Sequence, residues 1–327
     1  MPVKDIEAAA EMTPIIQSER LAHYWGTGHL WLKNETVGLS GSFKDRGAAV
    51  AIRQALQQGY RTIITASSGN AGAATAAHAS RVGIRAIILV DPDVPEGKLR
   101  QIQTYGAEVR MIDGLFNQPS ESFIRTIQDI ASQEHAYLAF YWEPVNQGIM
   151  QGFEVIAEEI VTQLRGAPDV VLIPTGGGDH IVAQGRAYLR LWRQGRITHV
   201  PQLIAVQPEG ACPLVDAVNA GLDYVPYRPN PQTIASGLRV AFSGQHALEL
   251  IQHSDHLGYS KNQAISVSED EIREGVALLA QLEGLWIEPS GAAAVSAIPK
   301  LLRSGLLNPN AVIVAPLTGA GWKDLYT

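Results

Sequence analysis

Gly38-Leu39-Ser40-Gly41-Ser42-Phe43-Lys44-Asp45-Arg46-Gly47 places a turn-rich, hydroxyl-bearing stretch directly before an apolar helical run, with a lysine at the junction. A lysine at such a mouth can be held in a dry pocket, where loss of water disfavours the ammonium and favours the free amine. A free amine is the group that attacks an aldehyde to form a Schiff base. The plain alternative is a solvated surface charge near a helix start. What the rest of the chain supplies decides between the two.

Outward from Lys44, short β-branched runs alternate with alanine-rich stretches, the pattern of a parallel α/β architecture. Strands are predicted over residues 62–65, 86–90, 108–112, 170–174, 202–206 and 312–316. Each is brief and nearly all apolar, as strands covered on both faces are. Helices are predicted over 46–58, 72–81, 96–104, 120–133, 152–164, 181–194, 269–283 and 291–302. The strand–helix units fall into two clusters, which implies two lobes. The expected division is a large domain of 1–35 with 142–327 and a small mobile domain of 36–141.

Three strand ends carry polar turns. Pro174-Thr175-Gly176-Gly177-Gly178-Asp179-His180 follows an apolar run and precedes a helical one. Successive glycines let backbone N–H groups approach an anion, and the helix start behind them adds a favourable dipole. No lysine follows as in a nucleotide-binding loop, and the glycines are out of phase for a dinucleotide fingerprint. The turn is a phosphate cradle or simply a tight strand-to-helix connection. Ala66-Ser67-Ser68-Gly69-Asn70 sits likewise between a strand and a helix, where ligands bind in open parallel sheets. Asn70 could hydrogen-bond a phenolate or a carboxylate without neutralising it, and Ser67 or Ser68 could instead cap the helix. Val314-Ala315-Pro316-Leu317-Thr318-Gly319 ends a strand in a neutral hydroxyl. A hydroxyl facing a pyridine nitrogen leaves it largely unprotonated, whereas an aspartate would hold it protonated.

The bulk properties restrict the function. With 327 residues the chain has room for two substantial cores, and 46% hydrophobic with 17% charged residues excludes a disordered chain. A net charge of −7 argues against a nucleic-acid binder driven by a general positive field. One cysteine, Cys212, rules out an internal disulfide and a cysteine zinc cluster, and no metal site is expected. No apolar run approaches the roughly 20 residues that cross a bilayer. The N-terminal residues lack a signal-peptide core, so the expectation is a cytoplasmic protein without a membrane partner.

Taken together, these segments resemble the fold-type II (tryptophan synthase β-like) family of pyridoxal-phosphate enzymes, which includes threonine synthase, serine/threonine dehydratase and cysteine synthase. The resemblance runs in order through Thr13-Pro14-Ile15, Trp31-Leu32-Lys33-Asn34-Glu35, Gly41 to Gly47, and Ser67-Ser68-Gly69-Asn70. It closes on Glu288-Pro289-Ser290-Gly291-Ala292 and Thr318-Gly319-Ala320-Gly321-Trp322-Lys323-Asp324. It implies two lobes, each a mostly parallel sheet flanked by helices, and pyridoxal 5′-phosphate as cofactor. By the same resemblance Lys44 is the Schiff-base lysine and proton carrier, and Asn70 bonds the cofactor's ring oxygen. Gly176, Gly177, Gly178 and Asp179 give N–H groups to its phosphate, and Thr318 faces the ring nitrogen. Ser67, Ser68 and Gly69 grip the substrate carboxylate, with Ser42 and Asn146 as further substrate contacts.

The Lys-Asn-Glu run and the Thr-Gly-x-Gly-x-Lys-Asp ending are most similar to threonine synthase. The implied chemistry is β- or γ-elimination or replacement on an amino acid. Serine/threonine dehydratase and cysteine-synthase-like β-replacement are the near alternatives, and a catalytically silent cofactor-binding paralogue is the distant one. The family's threonine synthases carry an arginine and a lysine where this chain aligns Ile149 and Glu154. Loss of those cations should weaken binding of a substrate phosphate. Arg239 is the candidate replacement anion contact. Asp179 next to a phosphate is repulsive unless it caps the helix or His180 offsets it. His78 is expected to be packed or exposed and not catalytic, Tyr141 and Trp142 to be pocket wall or core, and Lys323-Asp324 to be an exposed pair. A homodimer is expected by resemblance alone.

Overall fold

The computed structural model describes residues 12–67, 69–92, 94, 96–258 and 261–323; Ser68 and Asp324 lie outside the described residues. The first described elements are β1 (Ile15–Gln17), α1 (Glu19–Trp25) and β2 (His29–Asn34). Then follow α2 (Lys44–Gln57), β3 (Thr62–Ala66), α3 (Asn70–Val82) and β4 (Arg85–Val90). Next come α4 (Glu96–Thr104), β5 (Glu108–Met111), α5 (Ser120–Gln133) and β6 (Tyr137–Leu138). Helix α6 (Met150–Leu164) leads to β7 (Val170–Pro174), α7 (Asp179–Arg193), β8 (Gln202–Pro208) and α8 (Pro213–Ala220). The remainder is α9 (Gln245–Gln252), α10 (Ser254–Leu257), β9 (Gln263–Val267), α11 (Glu269–Glu283), α12 (Pro289–Ser296), α13 (Ile298–Arg303) and β10 (Val312–Leu317).

The contacts divide the chain into two units. One holds Thr36–Phe153 and Lys323; the other holds Thr13–Glu35 and Glu154–Trp322. The chain thus divides at Phe153, inside α6, and not at residues 141 and 142. Two glycines account for the later boundary by letting the 141–153 stretch close on α2. A Cβ on Gly47 would meet Ile149 at 2.7 Å and Tyr141 at 2.9 Å, and one on Gly152 would lie 2.3 Å from the Arg46 carbonyl oxygen. Side chains at either position would push that stretch off the helix.

The Thr36–Phe153 unit is built on a four-stranded sheet of order β5-β4-β3-β6, parallel throughout. Strands β3 and β4 are almost wholly buried, because TIITA and AIILV present mostly apolar side chains to helices on both faces. From β3 the chain builds outward to β4 and β5, then returns to add β6 on the other edge of β3. The carboxyl ends of β3 and β6 therefore flank a topological switch point, the place where open α/β sheets bind ligands.

The other unit has a six-stranded sheet of order β1-β2-β10-β7-β8-β9. Only β1 runs antiparallel, to β2. Strands β7, β8 and β9 extend one way and β10 returns to the free edge of β7, so a second switch point lies at the carboxyl ends of β7 and β10. Helix α12 crosses this core with all eight residues buried. Its small side chains, Ser-Gly-Ala-Ala-Ala, permit that depth. Gly291 brings α12 against the backbone of Thr318 and Gly319, both N atoms 3.1 Å from where its Cβ would stand.

Several elements depart from the sequence expectation. Strand β2 ends in Lys33 and Asn34, both buried, so its polar end breaks the apolar run that marks the other strands. Strand β9, QAISV, is only half-buried and weakly patterned. The helix expected over 291–302 is two, α12 and α13, because Pro299 sits in the first turn of the second. Among the described residues no helix is long and apolar enough to cross a membrane.

Candidate active site

Lys44 is the first residue of α2, and its Nζ lies among three aromatic rings. It stands 4.6 Å from the Phe43 centroid, 4.9 Å from Phe153 and 5.2 Å from Tyr141. The ring faces attract a positive charge on that amine. Tyr141 is no competing base: burial pushes its phenol far above the ordinary range, and its hydroxyl pairs with the Thr75 hydroxyl at 3.0 Å. The expected wall residue is therefore both wall and core.

The turn before Lys44 is held by Asp45. Its carboxylate accepts the Ser40 N–H at 2.9 Å and faces His78 Nε2 at 3.2 Å. His78 is buried, so it is a packed histidine that anchors α2 to α3. Ser42 is buried, with its hydroxyl 3.4 Å from that of Ser40.

At the carboxyl end of β3, the Ser67 hydroxyl accepts the Gly69 N–H at 3.2 Å. Asn70 begins α3 and is buried. Its Oδ1 accepts a hydrogen bond from Lys323 Nζ at 2.8 Å. Lys323 is 1% exposed, which overturns the expectation of an exposed pair at Lys323-Asp324. Asn146 turns its N–H2 group to the Tyr137 hydroxyl and the Leu138 carbonyl, at 3.0 and 3.1 Å. Its amide nitrogen is thus tied to β6. Ile149 is fully buried against Gly47.

In the other unit, the Gly176–178 turn follows β7 and leads into α7. Its carbonyls are tied back. Ser243 Oγ donates to Gly176 O at 2.7 Å, the Gly244 N–H donates to Gly177 O at 2.7 Å, and Gln207 Nε2 reaches Thr175 O at 3.2 Å. Among the described residues, no carbonyl accepts from the N–H groups of Gly176, Gly177 or Gly178. Gly178 has φ of 104°, and a Cβ there would stand 2.5 Å from that of Ala247. A run of glycine N–H groups without a backbone acceptor, at the start of a 15-residue helix, suits an anion with several acceptor oxygens.

His180 Nε2 pairs with Gln184 Nε2 at 2.8 Å. His246, from α9, faces Asp179 Oδ1 at 3.4 Å. Thr318 follows β10, the strand beside β7, and is buried. Arg239 is half-buried at the end of the 236–238 turn, whose backbone passes the Gly176 turn: Gly237 O lies 3.5 Å from the position of a Gly176 Cβ. Glu154, expected in place of a cation, is ion-paired with Arg190.

Residues 6–319 match the family model described as "Pyridoxal-phosphate dependent enzyme". The chain belongs to this family. Among curated relatives, threonine synthase of Methanocaldococcus jannaschii is 33% identical over 99% of this chain and 79% of its own length. Threonine synthase of Halalkalibacterium halodurans is 33% identical over 96% of this chain and 83% of its own. Maize serine racemase superposes with a TM-score of 0.80 at 23% identity, covering 98% of this chain and 92% of that one. A threonine deaminase of Solanum lycopersicum gives 0.78 at 22% identity, over 98% and 86%. These superpositions establish the fold-type II architecture: two mostly parallel sheets flanked by helices.

The residues fit the group that such enzymes carry. A run of glycine N–H groups matches a phosphate, and a half-buried amine among rings matches an aldehyde's partner. Sequence reasoning missed Lys323, Gln207, Ser243 and His246. Lys323 carried a weak signal, as part of the terminal motif. The other three act on the glycine turn from β8, α9 and the loop before α9, and nothing local marks them.

Proposed function

We propose that this chain is a pyridoxal-phosphate-dependent lyase or synthase that eliminates or replaces a group at Cβ or Cγ of an amino acid. The reaction class is that of the threonine synthases it resembles, on a substrate whose leaving group is not a phosphate. The observation carrying the reading is Lys44 within its three rings, at the helix start that the family uses for its lysine. When bound, the cofactor supplies an aldehyde for Lys44 and a ring that delocalises the electron pair left at the substrate Cα.

The chain's own residues do the rest. Lys44 Nζ would hold the cofactor and, as a free amine, would take the substrate's Cα proton. Phe43, Tyr141 and Phe153 would keep water from that amine, with Tyr141 a neutral phenol. The N–H groups of Gly176, Gly177, Gly178 and Asp179 would hold the phosphate, and Asn70 would donate to the ring oxygen. Thr318 would offer the ring nitrogen a neutral hydroxyl, so that the ring would be a moderate electron sink. Ser67, Ser68 and Gly69 take the substrate carboxylate.

Ile149 and Glu154 support the view of the leaving group. One is packed in an apolar core and the other is neutralised by Arg190, so neither offers a positive charge to a doubly charged group. Serine, threonine and phosphohomoserine, titrated singly against the loaded protein, discriminate the readings. Serine or threonine is expected to change the cofactor's visible absorbance and release a keto acid, with phosphohomoserine silent. A spectral change and turnover with phosphohomoserine alone restores the phosphate-dependent reading, and absence of Cα-proton exchange with all three points to a silent paralogue.

Gly178→Ala tests the cradle separately. A side chain at φ of 104°, pressed on Ala247, strains the turn by about 1–3 kcal/mol. The expected result is cofactor dissociation about tenfold faster on dialysis, with little change in the absorbance maximum of what stays bound. Retention equal to the parent would show that the turn does not hold the phosphate.

A further inference from the structure

We propose that Lys323 is a positioning residue, which orients the Asn70 amide so that its N–H2 end is presented to the cofactor's ring oxygen. The inference rests on the reading that Asn70 donates to that oxygen. An asparagine amide has two ends of nearly equal shape, one that donates and one that accepts. A lysine ammonium donates only. With Lys323 Nζ 2.8 Å from Asn70, the end facing it must be the acceptor Oδ1, and Nδ2 must point the other way. The reversed amide would turn a lone pair toward the cofactor's ring oxygen.

The ammonium also polarises the amide. A charge-assisted bond to Oδ1 draws electron density toward it and strengthens the N–H2 group as a donor. Both partners are buried, Lys323 at 1% and Asn70 at 8% exposure, so water screens the effect little.

The backbone is shaped to deliver this lysine. The Lys323 carbonyl oxygen lies 2.7 Å from where a Cβ on Gly97 would stand, so the final turn reaches α3 only across a glycine in α4. The neighbouring Lys98 is fully buried, with its Cδ 4.0 Å from the Cβ position of Gly69. Two lysine stems therefore close on the Gly69–Asn70 corner.

The test is a double-mutant cycle on the pyridoxal-phosphate-loaded protein, read as the cofactor's dissociation constant and the position of its visible band. Lys323→Met and Asn70→Ala are each expected to weaken cofactor binding roughly tenfold and to shift the band in the same direction. The double variant is expected to be no weaker than Asn70→Ala alone, because the lysine acts through the amide. Lys323→Arg, which keeps a charged donor, is expected to restore most of the affinity. Lys323→Gln goes through the same cycle in case the methionine variant does not fold.

Additive losses, or parent-like binding and spectrum in the Lys323 variants, overturn the inference. So does failure of both neutral variants to fold, which would make the lysine purely structural. A parent protein with no visible band, or one whose band survives Lys44→Ala, takes down the cofactor reading and this inference with it. A normal parent band with additive losses takes down the inference alone.

Discussion

Lys44→Ala is expected to lower turnover by at least about 10³-fold and to abolish the visible band of the loaded protein. Two losses combine in one side chain: the amine that bonds the cofactor and the base that removes the Cα proton. The surrounding site should survive, because the rings of Phe43 and Phe153 pack on each other at 5.0 Å, and Asp45 holds the preceding turn independently of the lysine side chain. Cofactor should therefore still bind, more weakly, through the N–H groups of the Gly176–178 turn. A small primary amine added to the variant is expected to restore part of the Cα-proton exchange, since it can enter the space the lysine side chain leaves. Lys44→Arg keeps the charge among the rings but cannot form the covalent bond, so it should be as inactive as the alanine variant. Parent-like turnover in either variant would remove Lys44 from the chemistry.

The contrast between Lys44 and Lys323 shows what a sequence can reveal of such a site. Lys44 stands beside its own turn and its own helix, so the proposed chemistry and the local pattern coincide within ten residues. The Gly176–178 turn is legible for the same reason: three consecutive glycines, a strand before and a helix after. The role proposed for Lys323 rests on its bond to Asn70, 253 residues away. His246 reaches Asp179 from a helix that the sequence pattern did not mark, and His180, one possible offset for that carboxylate, bonds Gln184. The apolar strands β3, β4, β7, β8 and β10 could be read from composition, because burial on both faces leaves mostly hydrophobic residues. Strand β2 could not, because its last two positions carry a buried lysine and asparagine whose partners come from the residues just before β1 and from α6.

That buried lysine makes the strongest stability prediction. Lys33 is fully buried in β2, and its Nζ donates to Thr13 O at 2.6 Å, Glu159 Oε2 at 2.6 Å and Gln163 Oε1 at 2.9 Å. Glu159 also accepts the Thr13 N–H at 3.1 Å, and the Thr13 hydroxyl donates to Glu35 at 2.6 Å. The Lys-Asn-Glu run that resembles the threonine synthases is therefore a clasp, fastening the residues at β1 to α6. Lys33→Met strips a buried carboxylate of its ammonium, and the expected loss is about 3–5 kcal/mol. The loss should appear as a lower urea midpoint in tryptophan fluorescence. Lys33→Met with Glu159→Leu removes both charges and should recover most of that loss, because an apolar pair of similar volume needs no counter-ion. The single variant should also keep the cofactor's visible band under native conditions, since the clasp and Lys44 belong to different units. A single variant within about 0.5 kcal/mol of the parent would mean that the network is worth no more than an exposed ion pair.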